Sequence, residues 1–468
     1  MTTATLFDLI VLGLGPGGEE VAERTAEAGW SVLGVDANLV GGECPYYGCI
    51  PSKMMLRGAQ LLAEARRVPG MAGAAEVTAD FAPVGRRIRK EATDDWNDRV
   101  AVERFESTGG TFVRGAARIA GRDGTDVLVE VDGTTYAGPH VVVATGTAPA
   151  LPPIDGLADL PRGVDELVWT NREAVQAMSA PESLLVLGGG AVGCEMAQAF
   201  ARFGTAVTVI EPGPRLLHPE EPEASATITE VFRREGITIH CGAKPARVAA
   251  GGAGVQITLE DGTGLTAAKV LVAAGRKPNL DIGLDSVGLD AAPTHLSVDE
   301  HMRVLHGDRV VPGLYAIGDI AGHGAFTHLA VWQSRVLTAH LLGQDEPFGG
   351  YHGLAWVTFT DPEVGRVGMS ERQARDAGLQ VRTGTAPIPS NTRGWIHGRG
   401  NDGFVKVIED AGSGTLVGAT VTSPAGGEIL AVLTLAVHAK VQVAQLATMH
   451  YVFPTLHRAV LEAIRAIE

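Results

Sequence analysis

The hydrophobic and polar positions of this chain write one pattern twice. Residues 11–36, VLGLGPGGEEVAERTAEAGWSVLGVD, align without a gap on residues 186–211, VLGGGAVGCEMAQAFARFGTAVTVIE. Each copy runs from an apolar stretch into G-x-G-x-x-G, through a helical segment, to a second apolar stretch that ends on an acid. The pattern predicts strand, glycine turn, helix and strand, the βαβ unit that binds a dinucleotide. Gly13, Gly15, Gly18, Glu20, Gly29 and Asp36 recur at one constant spacing as Gly188, Gly190, Gly193, Glu195, Gly204 and Glu211.

The physical reading is the same for both copies. The first glycine makes the tight turn, the second lets backbone approach a pyrophosphate, and the third allows close helix-to-strand packing. The helix N-terminus then faces the phosphates. Asp36 and Glu211 stand where a ribose hydroxyl would be bound. One such motif is a weak signal, but two in register predict a protein that holds two dinucleotides.

Further along, the strand ending at Gly146 is followed by APALPPIDG, a Pro-rich crossing between domains, and the strand ending near Pro278 is the return crossing. A third break falls at residues 344–350, QDEPFGG. Beyond it, residues 404–407 and 416–421 read as strands, and residues 428–439 as a long apolar helix.

A chain of 468 residues exceeds what one core usually serves, so about three domains are expected. The net charge of −16 disfavours nucleic acid as a partner. The N-terminal segment lacks the basic start of a signal peptide, and no apolar run is long enough to span a bilayer, so a cytoplasmic protein without a membrane span is expected. Four cysteines in this length do not make a disulfide scaffold.

Two of the cysteines, Cys44 and Cys49, lie five positions apart in GGECPYYGCIPSK, residues 41–53. A regular helix would hold them too far apart for a bridge, at about 1.5 Å of rise per residue. Pro45, Gly48 and Pro51 supply the distortion a bridge would need. Zinc would require more ligands at matching spacing, and Cys194 and Cys241 are isolated in sequence, so no metal site is expected. A redox pair and two structural thiols both remain open at this level.

The chain resembles the pyridine nucleotide-disulfide oxidoreductase family, the FAD enzymes that include dihydrolipoamide dehydrogenase, glutathione reductase and mercuric reductase. The resemblance covers essentially the whole length. It rests on the paired fingerprints, C-x4-C-I-P-S-K, ATGTAP (144–149), AGRKPN (274–279), GLYAIGDIAG (313–322) and VTFTDPEVGRVGMSE (357–371), in the family's order. It implies an α/β protein with two Rossmann-like dinucleotide-binding domains, for FAD and NAD, and a C-terminal α+β dimerisation domain. The expected division is 1–150 for FAD, 151–275 for NAD(P), 276–345 for the return to FAD, and 351–468 for the interface of a homodimer.

By this resemblance, Gly13, Gly15, Gly18, Asp36, Gly42, Thr145, Gly146 and Asp319 serve FAD, and Gly188, Gly190, Gly193, Glu211 and Gly275 serve the nicotinamide cofactor. An acid at 211 suits a free 2′-hydroxyl, so NADH is expected over NADPH. Lys53 and Glu195 are implied to form an ion pair beside the flavin N5. Cys49 is implied to be the thiol adjacent to the flavin, and Cys44 the interchange thiol, together a redox-active disulfide.

The chain departs from the pattern near its end. The family's disulfide reductases carry H-P-T-x-x-E, whereas here Phe453 and Arg458 occupy the His and Glu positions of FPTLHR. Phenylalanine takes no proton and arginine stays charged. His450 and His457 are the nearby candidates for a substitute acid. Tyr46 and Tyr47 lie between the cysteines, and with Phe453 they suggest an aromatic wall for a planar acceptor. The expected activity is therefore NADH-driven reduction of a small-molecule acceptor such as a quinone. The alternatives are reduction of an unusual disulfide, with His457 in the substrate pocket, and a redox-sensing flavoprotein with negligible turnover. A mercuric reductase of the usual kind is disfavoured because no cysteine follows Cys241.

Overall fold

The computed structural model describes residues 4–252 and 254–468. The reading of the N-terminal segment falls partly on residues 1–3, outside the described residues. Compactness divides the chain into two units: Met1–Pro51, Arg87–Pro149 and Arg276–Gly350 form one, and Ser52–Arg86, Ala150–Gly275 and Tyr351–Glu468 form the other.

The first unit is built on a six-stranded sheet. Its order is Arg303–His306, Arg309–Ala316, His140–Val143, Leu9–Leu12, Val32–Asp36 and Thr111–Arg114. Leu9–Leu12 is central and parallel to both neighbours, and all four of its residues are buried. Because alternate side chains leave opposite faces of a strand, Leu9 and Val11 enter the core under the helices Pro16–Glu27 and Thr327–Leu341. Ile10 and Leu12 enter a second core that they share with Val127, Val129 and Leu314. A sheet covered on both faces needs such continuous apolar runs. The short pair Thr147–Pro149 and Arg276–Pro278 closes this unit where the chain leaves and returns.

The second unit repeats the plan. Its parallel sheet runs Val168–Trp169, Lys269–Val272, Ser183–Leu187, Ala206–Glu211 and Thr238–Cys241. A five-stranded antiparallel sheet follows in the C-terminal segment. There the expected strands appear as Phe404–Asp410 and Thr415–Ser423, paired with each other. The expected apolar helix is Gly426–His438, and it packs with Arg458–Arg465 on that sheet around Val405, Val407 and Leu430. Among the described residues, no helix is long and apolar enough to cross a membrane.

Candidate active site

The duplication seen in the sequence extends to individual hydrogen bonds. In the first copy, the Asp36 carboxylate accepts from the backbone N–H of Leu14 at 2.7 Å and of Asn38 at 2.7 Å. In the second, Glu211 accepts from Gly189 at 2.6 Å and Gly213 at 2.5 Å, the equivalent positions. Both acids thus brace their glycine turns, and a carboxylate has further lone pairs to offer a ribose. A Cβ on Gly18 would run into the Gly13 carbonyl oxygen, and one on Gly193 into that of Gly188, which is why the helix can lie against its own turn only at glycine. Among the described residues, nothing beyond the adjoining backbone lies within 4 Å of where a Cβ on Gly15 or Gly190 would stand. These open places, at the N-termini of the helices Pro16–Glu27 and Ala191–Arg202, fit the phosphates of two dinucleotides. Burial pushes the Asp36 carboxyl above the usual carboxylate range, against the pull of its two N–H donors.

Glu20 and Glu195 are equivalent positions that have diverged. Glu20 pairs with Arg24 of its own helix at 2.6 Å. Glu195 is 5% exposed and works over a longer range. One of its oxygens accepts from Lys53 Nζ at 2.9 Å and the other from the backbone N–H of Phe359 at 2.9 Å. Lys53 Nζ also stands 4.5 Å from the centre of the Phe359 ring. The expected ion pair is therefore present, with a third member that the sequence did not single out. Phe359 lies within the stretch 357–371 quoted for the resemblance, but nothing in its residue type marks it. Further down the Glu195 helix, Gln198 grips the backbone of Asp361 with both ends of its amide, at 2.8 and 2.7 Å. Arg202 holds the Asp361 carboxylate at 2.8 Å, and Arg67 reaches the same carboxylate at 2.9 Å.

The cysteine segment breaks as its prolines and glycine suggest. One helical turn covers Glu43–Tyr46, a new helix begins at Cys49, and Gly48 folds back so that a Cβ there would lie 3.6 Å from the Cα of Cys44. Gly42 adopts φ +69°, and a Cβ on it would stand 2.9 Å from the Cα of Gly15, so the segment starts against the first glycine turn. Both cysteines are half-buried, and Cys49 Sγ is 3.4 Å from Thr327 Oγ1. The rings of Tyr46 and Tyr47 are 6.5 Å apart and tilted by 53°. Tyr46 is buried, and burial together with Asp98 and Glu19 raises its phenol pKa. Among the described residues, no group of three or more His, Cys, Asp or Glu is arranged to hold a metal.

Asp319 accepts from Thr147 Oγ1 at 2.6 Å, Thr147 Oγ1 accepts from Arg276 Nε at 2.6 Å, and Arg276 stands 3.5 Å from Glu43, the neighbour of Cys44. Burial pushes the Asp319 carboxyl up. Thr145 and Asn279 exchange two hydrogen bonds at 2.7 and 2.9 Å, Gly146 accepts from the Asn279 N–H, and Gly275 accepts from the N–H of Ala150. Thus the residues of 144–149 and 274–279 are organised around the two crossings. Arg276 and Thr147 are additions that the motif stretches contained but residue type alone did not single out.

In the C-terminal segment, Phe453 is 61% exposed, with the Arg458 guanidinium 5.4 Å from its ring centre. His450, Tyr451 and His457 line a cavity of about 620 Å³ together with Glu428 and Arg393. Tyr451 and His457 have ring centres 5.8 Å apart. Phe453 is not part of that lining.

Comparison with known proteins gives a consistent picture. The family described as pyridine nucleotide-disulphide oxidoreductase matches residues 7–334, and its dimerisation domain matches residues 354–464. The dihydrolipoyl dehydrogenase of Thermus scotoductus is 33% identical over 479 residues, covering 98% of this chain and 97% of that protein. The mercuric reductase of Streptomyces lividans is 34% identical over 472 residues, covering 97% and 95%. The crystal structure of LpdA from Mycobacterium tuberculosis superposes with a TM-score of 0.84 at 27% identity, covering 99% of both chains. The HOCl-induced flavoprotein disulfide reductase RclA from Escherichia coli shares the fold, with a TM-score of 0.83 at 23% identity, covering 98% of this chain and 100% of that one.

Proposed function

Because the chain belongs to the pyridine nucleotide-disulphide oxidoreductase family, we propose that this FAD-dependent oxidoreductase uses NADH to reduce quinones or similar planar acceptors. The chemistry that FAD supplies when bound is two-electron exchange between a reduced nicotinamide and an acceptor. Gly13, Gly15, Gly18, Asp36, Gly42, Thr145, Gly146 and Asp319 would hold it, and Gly188, Gly190, Gly193, Glu211 and Gly275 would hold NADH. Lys53, with Glu195 and Phe359 fixing it, keeps a positive charge at a set place. The preference for NADH is supported by Glu211, which would repel a 2′-phosphate. It is also supported by Arg215, whose guanidinium is committed to the carbonyls of Leu217 and Glu220. The dimerisation domain supports a homodimer.

The observation that carries the choice of acceptor is the identity of residues 453 and 458. Reduction of an ordinary disulfide needs a proton delivered to the leaving thiol, and Phe453 and Arg458 deliver none. A quinone has no leaving thiol and needs no such acid, and Tyr47, between the cysteines, offers it an aromatic face. The test is NADH turnover of the holoenzyme against lipoamide and a naphthoquinone under the same conditions. An advantage for the quinone above about a hundredfold, roughly 2.7 kcal/mol, supports the proposal. Comparable rates overturn it.

A second reading has one observation in its favour. His450 and His457 share a cavity with Glu428, a combination able to move a proton, so a disulfide of unusual shape is the alternative substrate of Cys44. Cys44→Ser separates the two: it abolishes disulfide reduction and leaves most quinone reduction.

A further inference from the structure

Just before the helix Arg99–Ser107, three consecutive non-glycine residues have left-handed backbone: Asp94 at φ +45°, Asp95 at +59° and Trp96 at +57°. They follow the π-helical turn Ile88–Ala92. Left-handed backbone is disfavoured for any residue with a Cβ, and more so for a bulky one. Such strain persists only where surrounding contacts over-determine it, and it concentrates at functional sites, as do π-turns.

The contacts that hold this segment are on hand. Arg89 pairs with Asp95 at 3.0 Å and lays its guanidinium 5.4 Å from the Trp96 ring centre. Asp95 donates its N–H to the Arg89 carbonyl at 2.6 Å, and Asn97 donates to that of Thr93 at 3.1 Å. The segment then reaches the cysteine loop and the residue just before it. Trp96 Nε1 donates to the carbonyl of Tyr46 at 3.1 Å, and Asp98 accepts from the N–H of Val40 at 2.7 Å while also pairing with Arg114. Tyr46 is the last residue of the turn Glu43–Tyr46, where a helix leaves its carbonyls without intrahelical donors. The indole meets that need between Cys44 and Cys49.

We infer that Trp96 is a positioning residue for the cysteine pair: its indole fixes the turn between Cys44 and Cys49 and so sets how readily the two sulfurs join. This rests on the reading of the pair as redox-active. The relevant exchange is protein disulfide plus two glutathione thiols giving protein dithiol plus glutathione disulfide. One S–S bond breaks and one forms, the two electrons come from glutathione, and its two protons pass to Cys44 and Cys49. A turn held in place gives each thiol a high effective concentration at the other, which favours the disulfide. Loosening the turn favours the dithiol.

The experiment equilibrates the holoenzyme in glutathione buffers, quenches with a thiol-alkylating reagent and counts modified Cys44 and Cys49 by peptide mapping. Trp96→Phe, which keeps a ring but loses the donor, is expected to move the equilibrium about tenfold towards the dithiol, about 30 mV for this two-electron couple. Arg89→Met, which keeps the indole but removes its support, is expected to move it the same way by less, and it decides the matter if Trp96→Phe does not fold. Equilibria within twofold of the wild type in both variants, even with lowered thermal stability, overturn the inference and leave the redox pair standing. A wild-type protein whose Cys44 and Cys49 do not exchange with glutathione as a pair overturns both.

Discussion

The sulfur of Cys49 lies 3.4 Å from the hydroxyl of Thr327, the first residue of the fifteen-residue helix Thr327–Leu341. A thiolate at such a place gains from the positive end of the helix and from a hydroxyl able to turn its proton towards sulfur. Thr327→Val keeps the shape and removes the hydroxyl. The expected result is alkylation of reduced Cys49 at neutral pH slowed by about three- to tenfold, with Cys44 changed by less than about twofold. Equal slowing at both cysteines would count against a specific contact.

The two partners of the Lys53–Glu195 pair differ in burial, with side-chain exposures of 36% and 6%. Lys53→Met leaves a buried carboxylate that keeps the Phe359 N–H but has lost its cation, and its cost is expected near 3 kcal/mol. Glu195→Gln leaves an ammonium that water can reach, while the amide oxygen can still accept from Phe359, so about 1 kcal/mol is expected. Denaturant midpoints measured at pH 8 should fall in that order, and the reverse order would refute the burial argument.

Burial pushes the Glu19 carboxyl up to about 7, despite its ion pair with Arg104. An acid whose folded pKa lies above its unfolded value, here 4.5, contributes stability that is fully present below the unfolded pKa and is lost as pH rises through the folded one. The wild type should therefore lose stability relative to Glu19→Gln between pH 4.5 and pH 8, by roughly 3 kcal/mol at most. Parallel unfolding curves for the two proteins at pH 5 and pH 8.5 test this. A constant difference would mean that Arg104 keeps the carboxylate ionised throughout.

Gly190 has φ −78°, and among the described residues nothing beyond the adjoining backbone crowds the place of its Cβ, whereas a Cβ on Gly193 would strike the Gly188 carbonyl. Gly190→Ala should accordingly change stability by no more than about 1 kcal/mol and weaken NADH binding at least tenfold in a fluorescence titration. Gly193→Ala should destabilise the fold itself. If Gly190→Ala binds NADH as the wild type does, the pyrophosphate does not lie over this turn.

The fold was legible in the sequence because its signals are local. A glycine turn, a helix start and an acid at the end of a strand are each decided within a few residues, and they survived duplication together. The strands at 404 and 416 and the helix after 426 were equally plain from their apolar content. The partners of the site residues were not. Phe359 meets Glu195 from 164 positions away, and Thr327 meets Cys49 from 278. Neither residue type advertises such a meeting. Trp96 was least legible, because nothing in DDW announces three left-handed residues. Tyr46 looked like part of an aromatic wall from its place between the cysteines, but its burial is set by packing that spacing does not record.

The likeness of the two glycine turns, down to which N–H each acid receives, bears on selectivity. Sockets with the same wiring, each ending on an acid, cannot by themselves tell a flavin dinucleotide from a nicotinamide one. Discrimination must come from the neighbourhood. Around the first turn that means the cysteine loop, with Gly42 laid against Gly15. Around the second it means the strand neighbours of Glu211, including Cys241 in register beside it. A chimera carrying residues 11–36 in both places would then still sort its two ligands correctly, with the choice residing in the surroundings rather than in the motif.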